Sequence, residues 1–171
     1  LILYLILYWL PTLAVSKGFD PAVAPQAALA FNFASVVGAL ALGKIVDRVG
    51  ARWPLTLSYV LLIGALIGLA LVNAQMLVLA LSAAAGFFLM GANYALYGVA
   101  ASYYPRALRG TGSGASIAVG RVGAIIGPLV PGLLLTSGAT ANEIINLMAP
   151  AAAIAGVSVF LLGFFRPKAE D

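Results

Sequence analysis

The sequence predicts an all-α membrane protein built from six transmembrane helices. Three observations predict it. Of the 171 residues, 63% are hydrophobic and only 8% are charged, against roughly 25% charged in a soluble domain, so the chain cannot cover itself with a water-facing surface. The apolar residues gather into six long runs, each at or near the roughly 20 residues that cross a bilayer core. The runs are uniform rather than alternating over about ten residues as membrane β-strands do, and lipid-embedded backbone satisfies its own hydrogen bonds as helix.

The segments fall at about 1–16, 22–43, 53–73, 76–101, 112–136 and 143–165. The first opens inside an apolar run, Leu1-Ile2-Leu3-Tyr4, with no initiator Met, and reads as cut from a longer chain. No basic stretch precedes it as in a signal peptide. Lys17-Gly18-Phe19-Asp20-Pro21 ends it and starts the second, with Asp20 as N-cap and Pro21 at the first helical position, where a missing N–H costs little. Lys44 to Arg52 reads as a charged loop, after which Pro54 opens the third segment. Asn73-Ala74-Gln75 is so short a turn that the third and fourth segments form an antiparallel hairpin. Tyr103 to Gly110 is the fourth break; Ser137-Gly138-Ala139-Thr140 is the fifth, with Asn142 capping the sixth segment. Pro128 and Pro131 are expected to kink or break the outer part of the fifth. The tail from Arg166 to Asp171 is soluble.

Alternation of sides sets the topology. Lys44, Arg48, Arg52, Arg106, Arg109, Arg166 and Lys168 share one side, and Lys17 alone marks the other. The positive-inside rule then puts the charged loops and the C-terminus in the cytoplasm, so a plasma (inner) membrane, multi-pass protein is expected. Trp9, Trp53, Tyr103 and Tyr104 lie near segment ends and read as interface anchors.

The residue inventory excludes much chemistry. Cys and His are absent, which removes disulfides, thiolate metal sites, Cys nucleophiles and imidazole bases. The carboxylates are Asp20, Asp47, Glu143, Glu170 and Asp171, none of them deep in a segment. An embedded enzyme is therefore a poor reading, and no metal or cofactor is called for. The net charge of +4 follows from the loop bias and implies no nucleic-acid partner.

The second junction reads Gly43-Lys44-Ile45-Val46-Asp47-Arg48-Val49-Gly50-Ala51-Arg52, that is G-x-x-x-D-R-x-G-x-R. Gly43 lets a neighbouring helix approach closely, Asp47 pairs with Arg48 or Arg52 or faces a helix N-terminus, and Gly50 permits the turn. The pattern resembles the cytoplasmic loop signature of the major facilitator superfamily, found once in each six-helix half. The run from Tyr104 to Gly114 leading into Gly120-Arg121-Val122-Gly123-Ala124-Ile125-Ile126-Gly127-Pro128 is similar to the tenth-to-eleventh helix region of that superfamily's aromatic acid:proton symporters. Tyr8-Trp9-Leu10-Pro11-Thr12-Leu13 resembles their seventh helix, and Phe31-Asn32 followed by Gly38 fits their eighth. The resemblance covers residues 1–171 as helices seven to twelve, with the N-terminal half absent. It implies proton-coupled uptake of aromatic carboxylates such as benzoate or hydroxyphenylpropionate, through a site between two six-helix halves near the membrane midplane. Its partners would be the substrate, protons, the bilayer and the other half. The same fold also serves sugars, other organic anions and drug export, and a non-transporting scaffold is the alternative of a different class.

Arg121 is the sharpest candidate. With a helix start near 112 it lies roughly 15 Å deep in a core about 30 Å thick, where insertion costs roughly 2.5–3.5 kcal/mol. Its planar fork of donors suits a carboxylate; pairing with an acid or a helix C-terminus of the other half would also account for it. Met90, Asn93, Tyr94 and Tyr97 share a face of the fourth segment. With Asn32, Tyr4 and Tyr8 the polar ones are the candidate substrate contacts, and helix–helix hydrogen bonding is the alternative for each. Gly43, Asp47, Arg48, Gly50, Arg52 and Arg109 are candidates for a loop motif of the conformational cycle. Gly120, Gly123 and Gly127, in small-xxx-small spacing with Ser116 and Ala124, would allow close packing, and Gly127-Pro128 would supply a hinge.

Overall fold

The computed structural model describes residues 18–20, 22–138 and 141–162. The described residues form five long helices, α1 (Val23–Val49), α2 (Arg52–Leu71), α3 (Gln75–Ser102), α4 (Arg109–Thr136) and α5 (Ala141–Leu162), with a 3₁₀ turn at Arg106–Leu108 before α4. The expected segment 1–16, with Tyr4 and Tyr8, lies outside the described residues, as do Lys17, Pro21 and the tail from 163. Of the described helices, α1, α2 and α3 are each long and apolar enough to cross a membrane.

Local chemistry sets the helix ends. The N–H of Ala22 donates to Asp20 Oδ1 at 2.8 Å, and the N–H of Val23 to the Asp20 carbonyl at 2.9 Å, so Asp20 satisfies donors that α1 leaves open. The charged stretch after Lys44 is not a loop. α1 continues to Val49 and α2 starts at Arg52, leaving Gly50 and Ala51 between them. Nothing from Lys44 to Val49 breaks a helix, and polar side chains do not stop one from extending past the lipid into water. The Gly50 N–H donates to the Val46 carbonyl at 2.9 Å, and Gly50 takes a φ of 84° that other residues resist.

Two other ends differ from expectation, and the break expected at positions 128 and 131 does not occur. α4 starts at Arg109, three residues early, because the 3₁₀ turn runs straight into it. Residue 142 lies inside the first turn of α5 rather than before it. α4 runs unbroken through positions 128 and 131, and α5 through Pro150. Prolines are tolerated in membrane helices because neighbouring groups satisfy the freed carbonyls.

The helices pack in pairs. α1 lies along α3, α2 along α5, and α2 against α3, while α4 rests mainly on α3. The α1–α3 contact is backbone to backbone. Gly38 meets the Phe87 carbonyl and Gly86 meets the Phe31 carbonyl, leaving no room for a Cβ at either glycine. At Gly91 a Cβ would stand 2.6 Å from Leu42 Cδ1 and 2.7 Å from the Gly38 carbonyl oxygen. These pairings advance together along both chains, so α1 and α3 run parallel. Such close approach substitutes for the hydrophobic drive that lipid cannot supply. Phe31, Leu55, Leu62, Leu66 and Ala85 form the centre of the core. The buried Ser58 and Ser82 donate to the carbonyls of Pro54 and Val78, both at 2.7 Å, so each is satisfied within its own helix.

Candidate functional site

The signature residues gather at one end of the bundle. A groove of about 620 Å³ opens there between α1, α2 and α3, and Gly43, Asp47, Gly50 and Arg52 line it together with Trp53, Tyr94 and Tyr103. Lys44, Arg48, Arg106 and Arg109 stand exposed at the same end, so the end is basic as a whole.

One expected role changes, and Arg52 has a contact the sequence did not suggest. Gly43 was expected to admit a neighbouring helix, but a Cβ there would meet nothing within 4 Å. It faces the groove, and the close approach happens one to two turns earlier, at Gly38. Arg52 was one of the partners offered for Asp47, beside Arg48 and a helix N-terminus. Its guanidinium carbon lies 4.3 Å from the ring centroid of Phe160 in α5 and 5.4 Å from that of Trp53. Trp53 and Phe160 themselves meet edge to face at 6.1 Å. Arg52 thus ties the start of α2 to the end of α5 through cation–π contact. A second tie lies beside it, where the Tyr103 hydroxyl donates to the Leu162 carbonyl at 2.9 Å. Burial raises the Tyr103 pKa, and the phenol, protonated at neutral pH in any case, remains a donor. Neither Phe160 nor Leu162 stood out in the sequence, because nothing local says which side chain of one helix end meets another.

The candidate substrate contacts are only partly assembled. On α3, Tyr94 and Tyr97 meet edge to face at 6.1 Å, and Asn93 Nδ2 donates to the Tyr97 hydroxyl at 3.4 Å. Both rings are about half exposed, 51% for Tyr94 and 42% for Tyr97, so they present an open aromatic and polar patch. Asn32 does not join them. Its Nδ2 donates to the Ala28 carbonyl at 2.8 Å, within α1. The register of Phe31 with Gly86 and Gly38 with Gly91 puts Asn32 about 10 Å further from the basic end than Asn93. Of the described members of this set only Tyr94 lines the groove.

Arg121 sits on α4 with its side chain exposed. With the helix starting at Arg109, it lies about 18 Å along the axis from that start. Among the described residues it has no ion-pair partner. Gly127 is buried and Gly123 half-buried, whereas Gly120 is exposed and a Cβ on it would meet nothing within 4 Å. Gly120 therefore packs no described helix. Arg109 Nε donates to the Tyr104 carbonyl at 3.2 Å, so it belongs to the turn between α3 and α4.

Comparison with known proteins places this arrangement. All of residues 1–171 match the family model for the Major Facilitator Superfamily. The chain is 33% identical over 173 residues to the 3-(3-hydroxy-phenyl)propionate transporter of Escherichia coli (strain K12), covering 99% of this chain and 42% of that protein. It is 34% identical over 175 residues to the gallate transporter of Pseudomonas putida, covering 99% of this chain and 38% of that protein. With the 4-hydroxybenzoate transporter of Pseudomonas aeruginosa it shares 31% identity over 168 residues, covering 95% of this chain and 36% of that protein. The chain thus spans about two fifths of the length of these relatives. No solved structure matches it.

Proposed function

Because the chain belongs to the major facilitator superfamily, we propose that it forms the C-terminal six-helix half of a transporter that takes up aromatic carboxylates together with protons. It is an integral membrane protein. In this reading its basic end faces the cytoplasm across the inner membrane, as the positive-inside rule directs. The segment before α1 and the other half of the molecule complete the transport path.

The observation that carries the reading is Arg121, exposed at mid-helix on a segment otherwise lined by Val119, Val122, Ile125 and Ile126. A guanidinium at that depth cannot face lipid without severe cost, so it faces protein or a water-filled cavity. Tyr94 and Tyr97, half exposed, offer ring faces for an aromatic substrate. Relatives named as transporters of hydroxyphenylpropionate, gallate and hydroxybenzoate support a carboxylate as the ligand of Arg121. Two parallel charge-assisted bonds would hold it, a geometry that an ammonium does not reproduce.

The test is equilibrium binding of an aromatic carboxylate to the purified full-length transporter. Arg121→Ala should lose binding while still inserting and folding, because removing a charge lowers the insertion cost. Arg121→Lys should lose most transport despite keeping the charge. Parent-like affinity in Arg121→Ala would move the carboxylate site to the other half. Competition of uptake by benzoate-like acids against sugars separates the substrate classes.

A further inference from the structure

The turn that carries the chain from α3 into α4 is held by its own residues. Arg109, at the start of α4, donates from Nε to the Tyr104 carbonyl at 3.2 Å, and the Leu108 N–H donates to the Pro105 carbonyl at 2.9 Å. Folded back in this way, the Tyr104 ring lies against Gly112 in the first turn of α4. A Cβ built on Gly112 would stand 2.5 Å from Cδ1 and Cγ of that ring and 2.6 Å from Cδ2. Gly110 and Gly114, on either side, have nothing within 4 Å of the same position. Of these three glycines only Gly112 has its missing side chain replaced by a neighbour.

Among the described residues little else fixes α4 near this end. Beyond the turn it packs chiefly along α3, and Val119, Val122, Ile125, Leu129 and Leu133 remain exposed. Arg121 lies nine residues beyond Gly112, which is about 13 Å along the axis and two and a half turns around it. It therefore stands on the side of α4 opposite the Tyr104 ring, and the helix is unbroken between them. A tilt imposed at Gly112 reaches Arg121 as a rigid displacement.

We propose that Tyr104, seated on Gly112, is a positioning residue for Arg121: the ring sets the angle at which α4 leaves the turn and so where the guanidinium meets its ligand. The proposal rests on the reading of Arg121 as the carboxylate anchor. The ring acts by filling the notch left at Gly112, and its hydroxyl is not required.

The test uses the purified full-length transporter and the tightest-binding of benzoate, 4-hydroxybenzoate, gallate and 3-(3-hydroxyphenyl)propionate. Gly112→Ala should weaken equilibrium binding by about tenfold or more, since a loosely placed site loses affinity with displacements of about 1 Å, while the thermal unfolding midpoint stays close to the parent's. Tyr104→Phe should bind as the parent does. Gly112→Ala combined with Tyr104→Leu should recover most of the affinity, because the smaller side chain yields the space the new methyl takes. If Gly112→Ala does not fold, Tyr104→Leu alone carries the test, and in folded protein it should weaken binding by loosening the seat. Parent-like affinity in Gly112→Ala or in Tyr104→Leu overturns the proposal. So does a double variant no better than Gly112→Ala, or a loss of affinity that follows a loss of stability. Parent-like affinity in Arg121→Ala instead overturns the underlying reading of the anchor, which keeps the two failures apart.

Discussion

Gly38 of α1 lies directly against the backbone carbonyl of Phe87 in α3. The reverse contact, Gly86 against the carbonyl of Phe31, makes the crossing reciprocal, so the two helices touch through backbone with no side chain able to move aside. Gly38→Ala or Gly86→Ala must push the helices apart and should destabilise the protein by about 1–3 kcal/mol, the usual range for overpacking. Gly43→Ala and Gly64→Ala, where an added Cβ meets open space, should be neutral or stabilise by up to about 1 kcal/mol through helix propensity. Thermal unfolding of the four variants in detergent checks this. Equal loss at all four sites would mean that the crossing is not special.

Arg52 over Phe160 should be worth about 0.5–2 kcal/mol. A double-mutant cycle of Arg52→Ala and Phe160→Leu, read by denaturation, should show coupling of that order, and Arg52→Lys should keep only part of it because an ammonium stacks less well on a ring. Additive losses from the two single variants would mean that the contact carries no energy of its own.

Topology can be read by labelling. Single cysteines at Asp47, Arg106 and Lys168 should resist an impermeant thiol reagent in intact cells, whereas cysteines at Lys17 and Glu143 should react. The absence of native cysteine gives this chain no labelling background. Reaction at position 168 without reaction at position 17 would invert the orientation.

Proton coupling should not depend on Asp47. Proton relays in membranes use Asp, Glu or His at depth; Asp47 stands exposed beside the groove at the basic end. Asp47→Asn should slow the exchange between conformations and leave the ratio of protons to substrate unchanged, as measured by parallel proton and substrate flux in proteoliposomes. Uncoupled proton flux with transport retained would assign Asp47 to the relay.

The sequence by itself determined the class of solvent, the helical state, the family and the end of the bundle that collects the basic residues. The family came from the resemblance carried by the Gly43–Arg52 motif; the others follow from rules applied residue by residue: apolar runs partition into lipid, lipid-facing backbone must close its own hydrogen bonds, and Lys and Arg avoid the core. Arg121 was legible as the residue to explain for the same reason, since a lone cation in an apolar run is costly wherever the helix sits. Only the tertiary structure decided what each of these residues touches. Gly43 and Gly38 are alike in sequence, yet one faces open groove and the other a carbonyl, because the crossing point depends on two helices at once. Arg52 carries the charge of a motif but meets Phe160, far along the chain, and Tyr104, legible only as an interface aromatic, is turned back onto Gly112 by the fold of the turn. Helical period fixes which residues share a face. What covers that face is settled by the packing of helices distant in sequence, and no local pattern encodes it.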